Sequence, residues 1–216
     1  MAKTKDIKKL IIDGYIDQAL VNEKKPQNIY LFCKDIGIEE REFYEHYTSM
    51  DTIEEDIWLQ YFNSTIDKLS KEEAYKEYSS REKLLAFYYT FIEELKERRS
   101  FVIKMIKSKY MFGPLSSSLS KFREEFNEYI KDLISEGVKT GEIEERHLLT
   151  DKYYLVFWTE FIFLLDFWKE DKSDKFEKTD VAIEKAANLS FDLMSRNPLD
   201  TAFDLGKFIF QSKFGK

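Results

Sequence analysis

Apolar residues recur at three- and four-residue steps along most of this 216-residue chain, interrupted by only 7 Gly and 3 Pro. That period puts each apolar set on one face of a helix, whereas a half-buried strand needs strict alternation. Ile7, Leu10, Ile11, Tyr15 and Ala19 predict a first helix over about residues 5–22. Short helices follow at Ile29 to Asp35, ended by Gly37, and at Glu40 to Tyr47. Ile53, Ile57, Tyr61, Ile66 and Leu69 mark a long fourth helix. Further helices are expected near 80–97, 101–110 and 150–170, and over Val181 to Ser195, with a last one from Asn197 to about Ser212. Between them, a helix opened by Ser116 to Ser118 carries Leu119, Phe122, Phe126, Ile130, Leu133 and Ile134, with Gly137 and Gly141 expected to end it. Sustained strand alternation is absent, so the expected class is all-α, with about ten helices.

Pro26, Pro114 and Pro198 all fall at expected helix boundaries, where a missing N–H costs nothing. With 43% hydrophobic and 35% charged residues, the chain has enough apolar material for a sizeable core. A formal charge of −7 gives no general attraction to nucleic acid or anionic membrane, so DNA binding needs a local basic patch. One cysteine excludes an internal disulfide framework and suits a reducing compartment. The amphipathic N-terminus is unlike a secretory leader, so the expected location is the cytoplasm. The most apolar stretch, Tyr153 to Trp168, is broken by Thr159, Glu160 and Asp166 and is too short for a membrane span.

Residues 7–58 combine three expected helices, the start of a fourth and a tight turn at Ile36-Gly37-Ile38. This is the pattern of a helix-turn-helix, with a glycine near the turn and an apolar residue on each side of it. The run from Phe32-Cys33 through Ile36-Gly37-Ile38 to Phe43, Tyr44, His46 and Tyr47, then Ser49 and Ile53, resembles the N-terminal domain of the TetR family of bacterial repressors. Later, Glu136 to Ile143 is similar to the turn that often links two C-terminal helices in that family. The resemblance implies a helix-turn-helix DNA-binding domain over residues 1–50. It also implies a helical effector-binding and dimerisation domain over 51–216.

The same resemblance points to Lys5, Asn28, Lys34, Arg41, Tyr44, His46 and Tyr47 as DNA-contacting residues. Asn28 stands where the family usually has threonine, and Met50 where it has a lysine gripping the DNA backbone. The recognition helix opens Glu39-Glu40-Arg41-Glu42 instead of with small residues. Residues 1–60 hold 8 Lys or Arg against 13 Asp or Glu, so the acid excess is concentrated where DNA would sit. Carboxylates there oppose the counterion release that drives DNA binding.

In the C-terminal part, Phe87, Tyr88, Phe91, Phe122, Phe126, Trp158 and Phe161 lie on segments that form the effector chamber in the resembled family. Core packing accounts for the same spacing, and both readings stand at this level. The Tyr153 to Trp168 helix is apolar on two faces, one of Tyr154, Phe157, Phe161 and Leu165 and another of Tyr153, Val156, Phe163 and Phe167. The following helix carries Ala182, Ala186, Ala187 and Leu189, and its alanines permit close helix approach. Two such helices per subunit would make a four-helix interface about a two-fold axis, which sets two recognition helices one DNA turn apart. Glu160 and Asp166 interrupt the apolar helix, and an unpaired buried charge is costly, so each must reach solvent, an interface or a ligand.

His46 and His147 are about a hundred residues apart and Cys33 falls on an expected core face, which suggests neither a metal site nor a Cys–His nucleophile. Phosphate-binding glycine loops and a nucleophile elbow are absent, so neither enzyme chemistry nor a cofactor is expected. The resemblance implies a regulator that binds a palindromic operator in double-stranded DNA as a homodimer and responds to a small apolar effector. The acidic N-terminal segment keeps an alternative, a small-molecule or lipid-binding protein on the same scaffold that no longer binds DNA. An accessory lipid-binding protein of ubiquinone synthesis resembles such a scaffold.

Overall fold

A computed structural model describes residues 6–21, 26, 28–107, 117–146 and 149–195. Among them are nine α-helices and no strand: α1 (Ile7–Val21), α2 (Ile29–Ile36), α3 (Glu40–Tyr44), α4 (Met50–Ser70), α5 (Ser80–Lys96), α6 (Arg99–Lys107), α7 (Ser120–Thr140), α8 (Tyr153–Glu170) and α9 (Glu177–Met194). The all-α expectation is met. His147, Pro114 and the helix expected after Asn197 lie outside the described residues. The chain divides into two compact units, residues 1–71 with 90–126 and residues 72–89 with 127–216, so α5 and α7 contribute to both.

In the first unit, α1 buries Ile11, Ile12, Tyr15, Ile16 and Ala19, the stripe expected of its period. Gly14 lets α2 approach, since a Cβ there would collide with the Ile36 side chain. Tyr15, fully buried, donates its hydroxyl to Glu54 of α4 at 2.8 Å. Lys104 of α6 donates to the Ala19 carbonyl near the end of α1, and Arg98 reaches Asp13 at 2.8 Å. Trp58, Phe62, Phe91, Phe122 and Phe126 fill the rest of the core, each side chain worth roughly 1.5–3 kcal/mol on burial.

In the second unit, the Tyr129 hydroxyl lies 2.9 Å from that of Tyr75 and donates to the Lys83 carbonyl at 3.1 Å. Lys83 is paired with Glu136 at 2.6 Å. Helix α7 runs through Gly137 and stops at Gly141, whose φ of +80 suits a residue without a Cβ. Gly137 does not end the helix as expected. The helix continues through it, and Ile143 folds back over it, donating its N–H to the Gly137 carbonyl at 2.9 Å with its side chain where a Cβ would stand.

Two polar devices hold α9. At its start, Asp171 accepts hydrogen bonds from the N–H and hydroxyl of both Ser173 and Thr179, at 2.7 to 2.9 Å. Burial opposes ionisation of this carboxyl, but the four donors prevail and hold it well below the usual carboxylate range. At its end, Arg146 donates to the carbonyls of Leu193, Met194 and Ser195, a cation on the negative pole of the helix.

Candidate functional site

The helix-turn-helix forms because each end is capped. Asn28 accepts the Leu31 N–H at 3.0 Å and opens α2, and Gly37 at φ +71 closes it. Glu42 reaches back to the Glu39 N–H at 2.9 Å and opens α3. Phe32 and Phe43 meet edge to face, 6.1 Å between ring centres, with buried Cys33 beside Phe32 in the sequence. Helix α3 is shorter than expected, ending at Tyr44.

Asn28, Lys34, Arg41, Tyr44 and His46 are all exposed, while Lys5 lies outside the described residues. Arg41 pairs with Glu45 at 3.5 Å one turn on. An exposed pair of this kind is worth only about 0.3–0.5 kcal/mol, so Arg41 can leave it for another anion. Tyr47 is placed differently. It is buried and donates its hydroxyl to Asp56 at 2.6 Å, and burial together with that bond pushes its pKa far above the usual value. Of the four carboxylates around α3, Glu42 is half-buried and serves the cap, whereas Glu39, Glu40 and Glu45 face solvent.

The aromatic residues expected near a ligand fall into separate groups. Phe91, Phe122 and Phe126 belong to the first unit, where Phe122 lies 5.4 Å from Phe91 and stacks at 5.9 Å on Phe126. Trp58, which sequence periodicity alone did not single out, packs on the same rings, and its buried indole N–H has no hydrogen-bond acceptor. In the second unit, Phe87 packs on Tyr88 and Tyr129, and Trp158 stacks on Phe161 at 5.6 Å.

Helices α8 and α9 enclose an open apolar groove of about 1170 Å³. Its walls include Val156, Phe163, Phe167, Ala182, Ala186 and Leu189, six of the residues expected at a dimer interface. Phe163 is 52% and Leu189 61% exposed, which is unusual for large apolar side chains that share one groove. Tyr153 is not among them: it is buried, with its hydroxyl accepting from Arg146 at 2.6 Å. The two acidic interruptions of α8 separate cleanly. Asp166 is exposed and paired with Lys169 at 2.5 Å, while Glu160 is 7% exposed and lines the groove.

Glu160 accepts a hydrogen bond from buried Ser190 of α9. Burial raises its pKa to about 7 against the lowering effects of Ser190 and Tyr88. Tyr88 is close enough to act on the carboxyl, yet its hydroxyl and Glu160 Oε1 each lack a hydrogen bond of ordinary geometry. Among the described residues no cluster could hold a metal ion, and no helix is long and apolar enough to cross a membrane.

The model of the tetracyclin repressor-like C-terminal domain matches residues 83–209, more than half of the chain. The chain therefore belongs to the TetR family, whose known members bind DNA and form dimers. No curated protein matches the sequence. A structure assigned to the TetR-family transcriptional regulators from Syntrophomonas wolfei is similar over 90% of this chain and all of its own, with 14% identity and a TM-score of 0.70. The TetR transcriptional regulator from Nitrosomonas europaea matches over 86% of this chain and 98% of its own, at 13% identity and 0.62. A transcriptional regulator from Cytophaga hutchinsonii matches over 87% and 98%, at 15% identity and 0.52. At these identities the likeness is one of fold.

Proposed function

We propose that this chain is a non-enzymatic, cytoplasmic transcriptional regulator that binds a palindromic operator as a homodimer and releases or engages it on binding a small apolar effector. The observation that carries this reading is the α2–Gly37–α3 turn, which leaves Asn28, Lys34, Arg41, Tyr44 and His46 on the exposed surface. Residues 1–50 would serve DNA, and residues 51–216 the effector and the second copy. The exposed α8–α9 groove supports the dimer. The buried Trp58 N–H without an acceptor supports an effector that is apolar with a polar group, since buried polar atoms without partners are uncommon. Genomic binding profiling of the tagged protein should recover an enriched palindrome. Profiles without one, with or without cell extract added, would count against DNA binding.

A second reading is favoured by one specific observation, the solvent-facing Glu39, Glu40 and Glu45 on α3 and at its two ends. On this reading the fold holds a lipid or other small molecule and no longer engages DNA. Titrating a nonspecific duplex at low salt separates the two, because a DNA binder gives a salt-sensitive complex. Native mass spectrometry of protein purified from its host would show retained ligand on the second reading. An empty protein that shifts duplex would exclude it.

A further inference from the structure

We infer that Glu160 is a proton-binding residue of the α8–α9 groove, so that closure of the groove by a second copy of the chain takes up one proton per copy. The inference rests on the dimer reading above and adds its regulation. The second copy is the occupant because both helices present apolar side chains outward, Val156 and Phe163 from α8 and Val181 and Leu189 from α9. Ala182 and Ala186 between them leave room for a facing helix. Membership of a dimer-forming family points to the same occupant.

Glu160 is the acidic residue that α8 contributes to this groove. The groups packed around it come from three elements. Tyr88 faces it from α5, Ser190 donates to it from α9, and Tyr129 of α7 acts on Tyr88 from behind. Glu177, Lys178 and Lys185 of α9 line the same groove. Tyr88 keeps its proton throughout the physiological range, because burial and the neighbouring carboxyl push its pKa far upward. Glu160 is therefore the group that titrates.

In a single copy the groove is open to water, and burial already brings the Glu160 pKa to about 7. Glu160 is itself only 7% exposed, so covering acts by replacing the water of the groove beyond it with a facing apolar surface, which penalises the carboxylate further. The covered state thus holds its proton to higher pH than the open state. Below both pKa values association is independent of pH. Between them, each dissociation releases two protons, and the dissociation constant rises by up to ~100-fold per pH unit.

Fluorescence-detected sedimentation of the full chain at pH 6.0 and 8.5, at fixed ionic strength, tests this. The wild-type dissociation constant should rise at least ~10-fold at the higher pH. Glu160→Gln should change less than ~3-fold, and Asp166→Asn, which alters an exposed carboxyl on the same helix, should follow the wild type. A wild-type dimer with the same dissociation constant at both pH values overturns the inference and leaves the dimer reading standing. A wild-type chain that stays monomeric at both pH values overturns the dimer reading and the inference together. A Glu160→Gln chain whose dissociation constant rises as much as the wild type's also overturns the inference, and Glu160→Leu takes its place if the Gln variant folds poorly.

Discussion

The Tyr47 hydroxyl donates to the Asp56 carboxylate at 2.6 Å, tying the segment after α3 to the middle of α4. Asp56 also accepts from Lys8 at 3.0 Å and Gln60 at 2.9 Å, so it keeps two donors if the hydroxyl is lost. Tyr47→Phe should therefore cost only about 1 kcal/mol in urea unfolding. Duplex affinity measured well below the denaturation midpoint should change less than ~2-fold, because a hydroxyl committed to Asp56 is not offered to phosphate. A large affinity loss without a stability loss would place Tyr47 on DNA instead.

Arg41 and Glu45 test the acidic face of α3. Glu45→Gln releases Arg41 from its 3.5 Å partner and removes one negative charge. Duplex affinity at low salt should rise a few-fold, and Arg41→Ala should lower it with a shallower dependence on salt concentration, by about one unit of slope. Equal, negligible binding by wild type and both variants in a fluorescence anisotropy titration would favour the ligand-holding reading.

Asp171 organises the start of α9 through four donated hydrogen bonds. Asp171→Asn should cost about 2 kcal/mol at pH 7, as expected for hydrogen bonds to a charged acceptor. Because the folded-state pKa lies below the unfolded one, this stabilisation is present above pH ~4 and fades as pH falls through the acid range. The gap between wild type and variant in thermal or urea unfolding should narrow accordingly. A gap that widens in acid would contradict the assigned cause.

Gly37 sits at φ +71 with open space around its α-carbon, so only backbone conformation constrains it. Gly37→Ala should cost roughly 1–2 kcal/mol, and Gly37→Asn distinctly less, since Asn tolerates the left-handed region. Hydrogen exchange should localise the loss to α2 and α3. Equal effects of Ala and Asn would indicate that space, and not φ, governs the position.

Much of the helical skeleton is legible in local sequence because caps and periodicity act over a few residues. Gly37 ends α2 as expected, and the helix expected near 150–170 forms over Tyr153–Glu170, preceded by a 3-10 turn at Thr150–Lys152. Gly137 was misleading because its reason for being glycine is Ile143, which returns over it only after the turn at Gly141. Helix propensity alone reads such a glycine as a stop. Helix α3 ends at Tyr44, although Tyr47 still donates its N–H to the Phe43 carbonyl at 2.9 Å while its hydroxyl reaches Asp56.

Sequence alone determined that the chain is helical, where its helix-turn-helix lies, and that Glu160 and Asp166 each needed an account. Those conclusions follow from periodicity, from glycine at a turn and from the cost of burying charge. Only the tertiary structure decided that Asp166 stays exposed while Glu160 meets Ser190 in the interior. It also decided that six of the seven expected interface residues share one open groove, whereas Tyr153 turns inward to Arg146. Residues on the same helix differ in this way because burial depends on which neighbouring helix arrives at each face, and that choice is made by packing across the fold.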